Sequence, residues 1–502
     1  MARICLCLTG KTLSRNLEIL EKNRKYLDLV ELRVDCLEPD ERFLIRRFPE
    51  QAGTPVILTI RRDVDGGQYA GGEGARITLL SKALAFAEAD RRRNFAYVDL
   101  EEDLNVPSLE EAARTFGTRI IRSYHNKQGV DTDLVGKIQS LRHVGDEIPK
   151  VAVTPRTIAD ARRIYQAARE TENFEKILLG MGDFGINTRI LAWHLGSYLS
   201  YAAAWGEPDM PSGGPGQPDV RDLAELYRLR EMDPKTRLFA VTGFPLKATG
   251  SPAFFNKVFA AENINAVYVP FPADSLEGFL ALASEIGLEG VSVTVPFKEQ
   301  ILSYLQDTSP EAASVGACNT IVKNANGWTG YNTDARGFSD SLLEFIGEKN
   351  LRGNKVTIIG AGGVARAVAS EVFRLKGRAL ILNRTTVRAR ELAIPYHFSW
   401  GGIDNQGMEQ MYQFSDIIIQ TTPVGMEGGV EADPVAEYKF YGQEKVMDLI
   451  YKPERTPFLR RAELAGCRVM NGYDMLLRQA RYQYKYYMER DFPSQLMTRI
   501  QF

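Results

Sequence analysis

The sequence predicts an α/β protein, a (β/α)8 barrel followed by a two-lobed α/β module with a Rossmann-type dinucleotide domain. Three observations carry this expectation. The first half alternates short apolar runs with amphipathic stretches. After Asp233-Pro234 the alternation begins again. A glycine turn then stands between a strand pattern and a helix pattern in KVTIIGAGGVARAVASEVF.

The apolar runs of the first half are ICLCLTG, LVELRVDCL, PVILTIR, AYVDLE, RIIRSYH, KVAVT and KILLGMG, with room for an eighth near Ala202–Trp205. Helical patterns such as RITLLSKALAFAEADRR and TIADARRIYQAARE lie between them, so a parallel sheet is implied. Eight such units close into a barrel; an open doubly wound sheet is the alternative. GEPDMPSGGPGQPDVRD reads as a loop, VRDLAELYRLREM as a helix, and RLFAVTG as the first strand of the next module. The expected domains are 1–232, 236–348 completed by a C-terminal helix at 474–490, and 349–473.

The 502 residues leave room for two or three domains. With 62 basic and 64 acidic side chains and a net charge of −2, nothing marks nucleic acid or a membrane surface as a bulk partner. The opening apolar run is too short for a signal peptide, since charge returns at Lys11 and Arg15. No apolar stretch reaches the ~20 residues of a membrane span. A cytoplasmic location is expected, or a plastid one if a transit peptide has been removed. Cys5 and Cys7 share one side of a strand. Buried thiols are the simpler reading than a metal or disulfide pair, because no matching Cys/His pair follows, and no metal is expected.

Alternate residues of a strand share a face. Glu31, Arg33 and Asp35 therefore fall on one side of LVELRVDCL, as do Thr59 with Arg61 and Asp99 with Glu101. If the apolar side meets the helices, opposite charges converge inside the barrel near the C-terminal strand ends, where barrel enzymes build their sites. A structural ion-pair network would look the same. His125 ends one run and Lys150 heads another; alone, the first suits a structural hydrogen bond and the second a snorkelling chain. Together they suit an amine nucleophile, desolvated beside other cations, with a proton shuttle next to it. Arginines would hold a carboxylate: a Schiff-base lyase acting on a small anionic ketone.

At these residues the first half, roughly to residue 230, resembles type I 3-dehydroquinate dehydratase. The resemblance rests on ELRVD, TIR followed by DGGQY, SYH, PKVAV, the arginine of GINTR, and PGQ. It implies that Lys150 forms the imine and His125 is the general acid/base. It further implies that Glu31, Arg33 and Arg61 line the site, Arg189 grips the carboxylate and Gln217 closes over a hydroxyl. Two departures stand out. Asp65 replaces the usual Glu before GG, and Gly213 occupies the usual serine position, with Ser212 as its substitute.

In the second half, Gly360, Gly362 and Gly363 permit a tight turn ahead of a helix N-terminus, with Ala365 at the fingerprint's third glycine position. The next strand ends in Asn383, Arg384 and Thr385, with Arg388 beyond, where an acidic residue would favour NAD; the cations favour the 2′-phosphate of NADP. Lys298 follows the strand of GVSVTVPFKE, Asn319 and Thr320 follow that of GACNTIV, and Asp334 sits in the turn of GYNTDARG. Lys298 alone reads as an exposed lysine and Asp334 as a helix cap. As a pair beside a nicotinamide they suit proton transfer to an alcohol oxygen.

These motifs, over roughly residues 236–490, resemble shikimate dehydrogenase. The resemblance implies a Lys298/Asp334 catalytic pair and substrate contacts from Thr249, Ser251, Asn319, Thr320, Tyr451 and Gln479. It also implies NADP contacts from Gly360, Ala361, Gly362, Gly363, Val364, Ala365, Asn383, Arg384 and Thr385. Thr422, Leu449 and Gly472 would add contacts from QTTPVGM, DLIYKP and NGYD. The substrate loop departs from the family: ATGSPAFFN has Ala248 and Phe255 at the histidine positions and Thr249 for serine, which leaves quinate and shikimate both open. The two families catalyse consecutive steps, so the joint expectation is dehydration of 3-dehydroquinate followed by reduction of 3-dehydroshikimate. The competing readings are an aldolase-like barrel fused to a quinate dehydrogenase, and a metabolite sensor. A sensor would have lost Lys150, His125, Lys298 or Asp334, and all four are present.

Overall fold

The computed structural model describes residues 2–84, 90–142, 145–246 and 249–500. Ala248 and residues 85–89 of one expected helix lie outside the described residues. The chain packs as two compact units, Met1–Ala240 with Phe255–Gly287, and Val241–Phe254 with Leu288–Phe502.

In the first unit eight strands form one parallel sheet: β1 Arg3–Leu8, β2 Leu29–Arg33, β3 Val56–Thr59, β4 Tyr97–Glu101, β5 Arg119–Asn126, β6 Ile148–Val153, β7 Ile177–Gly180 and β8 Leu199–Ala202. Each strand pairs with its successor up to β7, and β1 also pairs with β8. A bridge between Lys176 and Ser197, just ahead of β7 and β8, joins the remaining ends, so the sheet closes as a barrel rather than lying open. The intervening helices start at side-chain caps where the sequence supplies them, Thr12 to the Arg15 amide and Thr157 to the Asp160 amide.

Inside the barrel the sequence sorts into layers. Cys5, Leu29, Ile57, Ile121, Ile148, Ile177 and Leu199 fill an apolar cluster, each such aliphatic chain contributing roughly 1.5–3 kcal/mol by its burial. Two residues further along, the inward positions of β2 to β6 turn polar at Glu31, Thr59, Asp99, Ser123 and Lys150, while Cys7 and Leu179 stay in the apolar cluster; the register sets Arg33 beside Thr59, Thr59 beside Asp99, and Ser123 beside Lys150.

Three expectations change. β8 ends at Ala202 rather than beginning there, because Leu199–Ala202 is the stretch in register with Arg3–Leu6. β2 stops at Arg33, and Asp35 lies in the 3-10 turn Val34–Cys36. VRDLAELYRLREM does not form one helix: a π-helical turn, Asp222–Leu226, is cut off by Arg228 at φ +51° before a short 3-10 turn, Leu229–Glu231.

The remaining strands form two sheets. One has the order β10-β9-β11-β13-β14-β12, from β9 Arg237–Gly243, β10 Ala266–Pro272, β11 Leu288–Val293, β12 Asp307–Thr308, β13 Thr320–Asn324 and β14 Gly327–Tyr331. The other, within the second unit, is parallel with the order β17-β16-β15-β18-β19-β20. Its strands are β15 Lys355–Ile359, β16 Arg378–Leu382, β17 Ser399–Gly401, β18 Ile417–Gln420, β19 Lys445–Asp448 and β20 Arg468–Met470. The order reverses between β15 and β18, which leaves a crevice beyond their C-terminal ends, the usual ligand position in such sheets. The last helix, Tyr473–Met488, packs along helix Thr333–Ile346, with Tyr482 bonded to Asp340 and Arg478 to Glu344.

Candidate active sites

At the C-terminal ends of the barrel strands lies a cavity of about 350 Å³ lined by Glu31, Arg33, Arg61, His125, Lys150, Arg189 and Gln217, among others. Lys150 Nζ is 2.8 Å from Asp99 Oδ2 and 3.6 Å from Glu31 Oε1. The sequence suggested cations around Lys150; its direct contacts are carboxylates. The other oxygen of Asp99 pairs with Arg61 at 2.8 Å and accepts from Ser123 Oγ at 2.6 Å. Burial favours the neutral acid, yet Arg61 and Lys150 together hold the Asp99 carboxyl well below the usual range. His125 moves the other way: burial, with the Arg61 and Lys150 cations nearby, keeps its imidazole well below its ordinary value, and its Nδ1 has no hydrogen-bond partner among the described residues.

Arg33 is fixed by Asp35, at 2.9 Å through Nε and 2.8 Å through Nη2, and donates to the Gly213 carbonyl at 3.0 Å. Arg189 donates to the Gly180 and Pro215 carbonyls, while its third nitrogen, Nη1, is buried without a partner among the described residues. With no carboxylate against it, burial lowers this guanidinium to about 10. Gln217 Oε1 accepts from the Gly213 amide at 2.8 Å and its Nε2 donates to Cys7 Sγ at 3.2 Å.

Ser212 is not brought to the cavity. It is exposed and donates to the Gly214 carbonyl, and Gly213, Gly214 and Pro215 form the wall instead. The reason for glycine at 213 is close approach: a Cβ there would stand 2.8 Å from Cys7 Sγ and 2.9 Å from Cys7 Cβ. Asp65 lines the cavity with its carboxylate held 2.6 Å from Arg62 Nε.

The second unit brings together another lysine and aspartate. Lys298 Nζ lies 2.6 Å from Asp334 Oδ2, and Asn319 Nδ2 donates to the other oxygen at 2.8 Å. Asn319 Oδ1 in turn accepts from the Thr333 amide and the Thr320 hydroxyl. The last helix reaches this group: Gln479 meets the Thr333 hydroxyl at 3.4 Å, and Gln483 donates to the Thr320 hydroxyl at 3.0 Å. Tyr451 accepts from the Gly250 amide, which sets it beside Thr249 and Ser251, and burial raises its phenol above the ordinary value. In the first unit, Phe255 is buried against Tyr268, stacked at 4.6 Å. A Cβ on Gly363 would meet Lys298 Cδ at 3.5 Å, so the glycine turn and this pair adjoin.

Three family models match along the chain: type I 3-dehydroquinase over residues 4–234, the shikimate dehydrogenase substrate binding domain over 241–321, and shikimate/quinate 5-dehydrogenase over 342–427. The chloroplastic bifunctional 3-dehydroquinate dehydratase/shikimate dehydrogenase of Arabidopsis thaliana is 31% identical, over 94% of this chain and 79% of that protein. The chain belongs to this bifunctional family. The NADP(+) shikimate dehydrogenase of Halothermothrix orenii is 36% identical over 50% of this chain and 91% of its own length. A solved shikimate dehydrogenase structure from Aquifex aeolicus is 29% identical, with a TM-score of 0.49, over 53% of this chain and 98% of that one.

The dehydrogenase half has a glycine turn and a crevice where the dinucleotide its family implies would lie. Gly360 has φ +116°, and a Cβ there would lie 2.4 Å from Thr421 Oγ1 just past the end of β18, so only glycine fits the turn from β15 into helix Gly363–Arg374. Gly362 caps helix Gly363–Arg374, and a Cβ on it would meet nothing within 4 Å, so the helix N-terminus opens on free space. Ala361 and Val364 flank that opening half-buried, whereas Ala365 is fully buried in the core, where its small side chain serves helix-on-sheet packing. Asn383 bonds the Thr385 carbonyl and shapes the turn after β16, leaving Arg384 and Thr385 exposed at its tip. Across the crevice, Thr422 is tied to Gln420, Leu449 donates to the Gln420 carbonyl at 3.0 Å, and Gly472 donates to the Ile450 carbonyl at 3.0 Å. These residues fit a dinucleotide.

Several residues of the dehydratase site were not singled out from sequence. Strand parity turns Asp99 and Glu101 inward without assigning them a role; Glu101 bonds both Arg61 and Arg76. Tyr201 has the same inward parity on β8 and lies under Lys150, whose Nζ is 4.3 Å from the ring centroid. Lys127 lines the cavity mouth, two residues past His125. Among the described residues no group of three or more His, Cys, Asp or Glu is placed to hold a metal ion, and no helix is long and apolar enough to cross a membrane.

Proposed function

We propose that this chain dehydrates 3-dehydroquinate to 3-dehydroshikimate in its barrel and reduces that product to shikimate with NADPH in its second half. The working division is 1–232 for the dehydratase, 236–348 with 474–490 for the substrate lobe, and 349–473 for the dinucleotide lobe. The observation that carries the reading is that each half keeps a lysine bonded to an aspartate in its own site, Lys150 to Asp99 at 2.8 Å and Lys298 to Asp334 at 2.6 Å.

In the barrel, the Lys150 amine adds to the substrate carbonyl, and the carbonyl oxygen leaves as water to give a protonated imine. That cation acidifies the neighbouring carbon. His125, neutral because burial and adjacent cations oppose its protonation, takes the proton and returns it to the hydroxyl that departs one carbon further on. Water then hydrolyses the imine and frees Lys150. The buried, carboxylate-free Arg189 binds the substrate carboxylate, Arg33, Arg61 and Glu31 border the ring, and Gln217 with the 213–217 loop covers it.

In the second half, the 360–363 turn and helix N-terminus would hold the NADP pyrophosphate, Arg384 with Asn383 and Thr385 the 2′-phosphate, and Thr422, Leu449 and Gly472 the nicotinamide side. When bound, NADPH supplies the hydride to the carbonyl carbon. Lys298 gives its proton to the alcohol oxygen, while Asp334, fixed by Asn319, orients the ammonium. Thr249, Ser251 and Tyr451 take the carboxylate, and Asn319, Thr320 and Gln479 the ring hydroxyls. The substrates are small anions, with no nucleic acid or membrane involved, and free cysteines, Cys5 and Cys7 among them, suit the cytoplasm.

The purified chain should convert 3-dehydroquinate to 3-dehydroshikimate alone and to shikimate when NADPH is added. Accumulation of 3-dehydroshikimate despite NADPH, or no consumption of 3-dehydroquinate, would overturn the reading.

A further inference from the structure

The barrel cavity contains a polar group that the mechanism above does not use. Tyr201 is 3% exposed and lines the cavity at the end of β8. Its ring faces Lys150, with Nζ 4.3 Å from the centroid. Its hydroxyl is buried and has no hydrogen-bond partner among the described residues. Buried hydroxyls are nearly always bonded, because one without a partner loses water's hydrogen bonds and gains none. A phenylalanine would fill the same space and keep the same contact with Lys150 at no such cost. Among the described residues, the other buried polar atoms of this cavity without partners are His125 Nδ1 and Arg189 Nη1. Three such atoms around one cavity are what a site shaped for a polar ligand presents before the ligand arrives.

We propose that the Tyr201 hydroxyl is a substrate-binding group of the dehydratase site, hydrogen-bonding an oxygen substituent close to the carbon that joins Lys150. This rests on the Schiff-base reading of the barrel and adds a contact to it. The phenol suits the task as a neutral donor. Burial, followed by the negative field of Glu31, keeps its proton in place well beyond the ordinary tyrosine range. It can therefore donate to a substrate oxygen without adding charge beside the imine. The ring meanwhile remains against Lys150 as ammonium or protonated imine, since either cation is attracted to its face.

The test compares Tyr201→Phe and Tyr201→Leu with wild type in the full-length chain. The measurements are kcat and KM for 3-dehydroquinate, thermal unfolding with and without 3-dehydroshikimate, and borohydride trapping. Tyr201→Phe should raise KM for 3-dehydroquinate by about tenfold, the worth of one hydrogen bond. It should halve or abolish the product-induced rise in Tm. It should leave the ligand-free Tm unchanged or higher, because a hydroxyl lacking a partner has been removed. Tyr201→Leu should also lower kcat, since the face against Lys150 is gone. A lower ligand-free Tm for Tyr201→Phe would make the hydroxyl structural and overturn the proposal, as would unchanged KM and unchanged product stabilisation. Wild-type trapping separates the two levels: turnover without a trapped adduct rejects the Schiff-base reading itself, whereas a normal adduct with unaltered Tyr201→Phe kinetics rejects only the role of the hydroxyl.

Discussion

Lys298 Nζ and Asp334 Oδ2 stand 2.6 Å apart, and Asn319 secures the second oxygen of the same carboxylate. Lys298 is thus aimed by a fixed group rather than left mobile. A positioned acid contributes roughly 100–10,000-fold to proton transfer. Lys298→Ala should cut turnover of 3-dehydroshikimate by about that factor, with NADPH affinity little changed, and Asp334→Asn should do likewise. Dehydration should be unaffected in both. If Lys298→Ala keeps full turnover and loses only cofactor affinity, the lysine is a phosphate or structural contact instead.

The pH dependence of dehydration follows from His125. Its imidazole is held well below its ordinary value, so the neutral base persists as the solution is acidified. kcat/KM for 3-dehydroquinate should stay flat as pH falls from about 7.5 to about 6.5, with the acid limb lying below the ordinary histidine value. The same shift carries a sign for stability. The unfolded chain takes up this proton first, so His125 costs stability as pH falls below about 6.5. An acid limb centred at or above that pH would mean the base is another group.

Cofactor preference is assigned to the turn after β16. Arg384 is exposed there, and no acidic side chain occupies the 383–385 tip. Arg384→Ala should raise KM for NADPH at least tenfold while changing that for NADH little. Equal losses with both cofactors would remove the 2′-phosphate from the account.

Asp448 offers a stability test independent of catalysis. It is fully buried at the end of β19, accepting from the Ile450 amide at 2.9 Å and the Thr456 hydroxyl at 2.6 Å. Burial pushes its carboxyl up to about 6. A raised acid contributes stability that is complete below its unfolded value near 4 and is lost as pH rises through about 6. Asp448→Asn does not titrate. Its stability relative to wild type should therefore improve by on the order of 2 kcal/mol between about pH 4 and pH 7, as read from urea unfolding. A constant difference across that range contradicts the shifted pKa.

The sequence made the barrel legible because two periodicities agreed. Inward positions such as Glu31, Arg33, Asp99 and Glu101 alternate with apolar ones, and only a closed interior pairs so many charges. The glycine turn was readable because Gly360 and Gly362 sit where strand becomes helix. What escaped lacks a periodic signature. Asp35 reaches Arg33 from a 3-10 turn, so strand parity put it on the right side for the wrong reason. By sequence Ser212 stands in for a serine one residue later, but the loop turns its hydroxyl onto the Gly214 carbonyl, and Cys7, from the opposite end of the barrel sequence, fills the space a side chain at 213 would need. Tyr201 reads as one more aromatic in a buried strand; only the absence of a partner for its hydroxyl sets it apart.

On the proposed mechanism Lys150, held 2.8 Å from Asp99 inside the barrel, becomes covalently joined to the substrate. Reduction with borohydride during turnover of 3-dehydroquinate, followed by peptide mass mapping, tests this directly. A single adduct should fall on the peptide containing Lys150. Lys150→Ala should lose both adduct and dehydration while reducing supplied 3-dehydroshikimate at close to the normal rate. An adduct on any other lysine, or dehydration that persists in Lys150→Ala, would contradict the account.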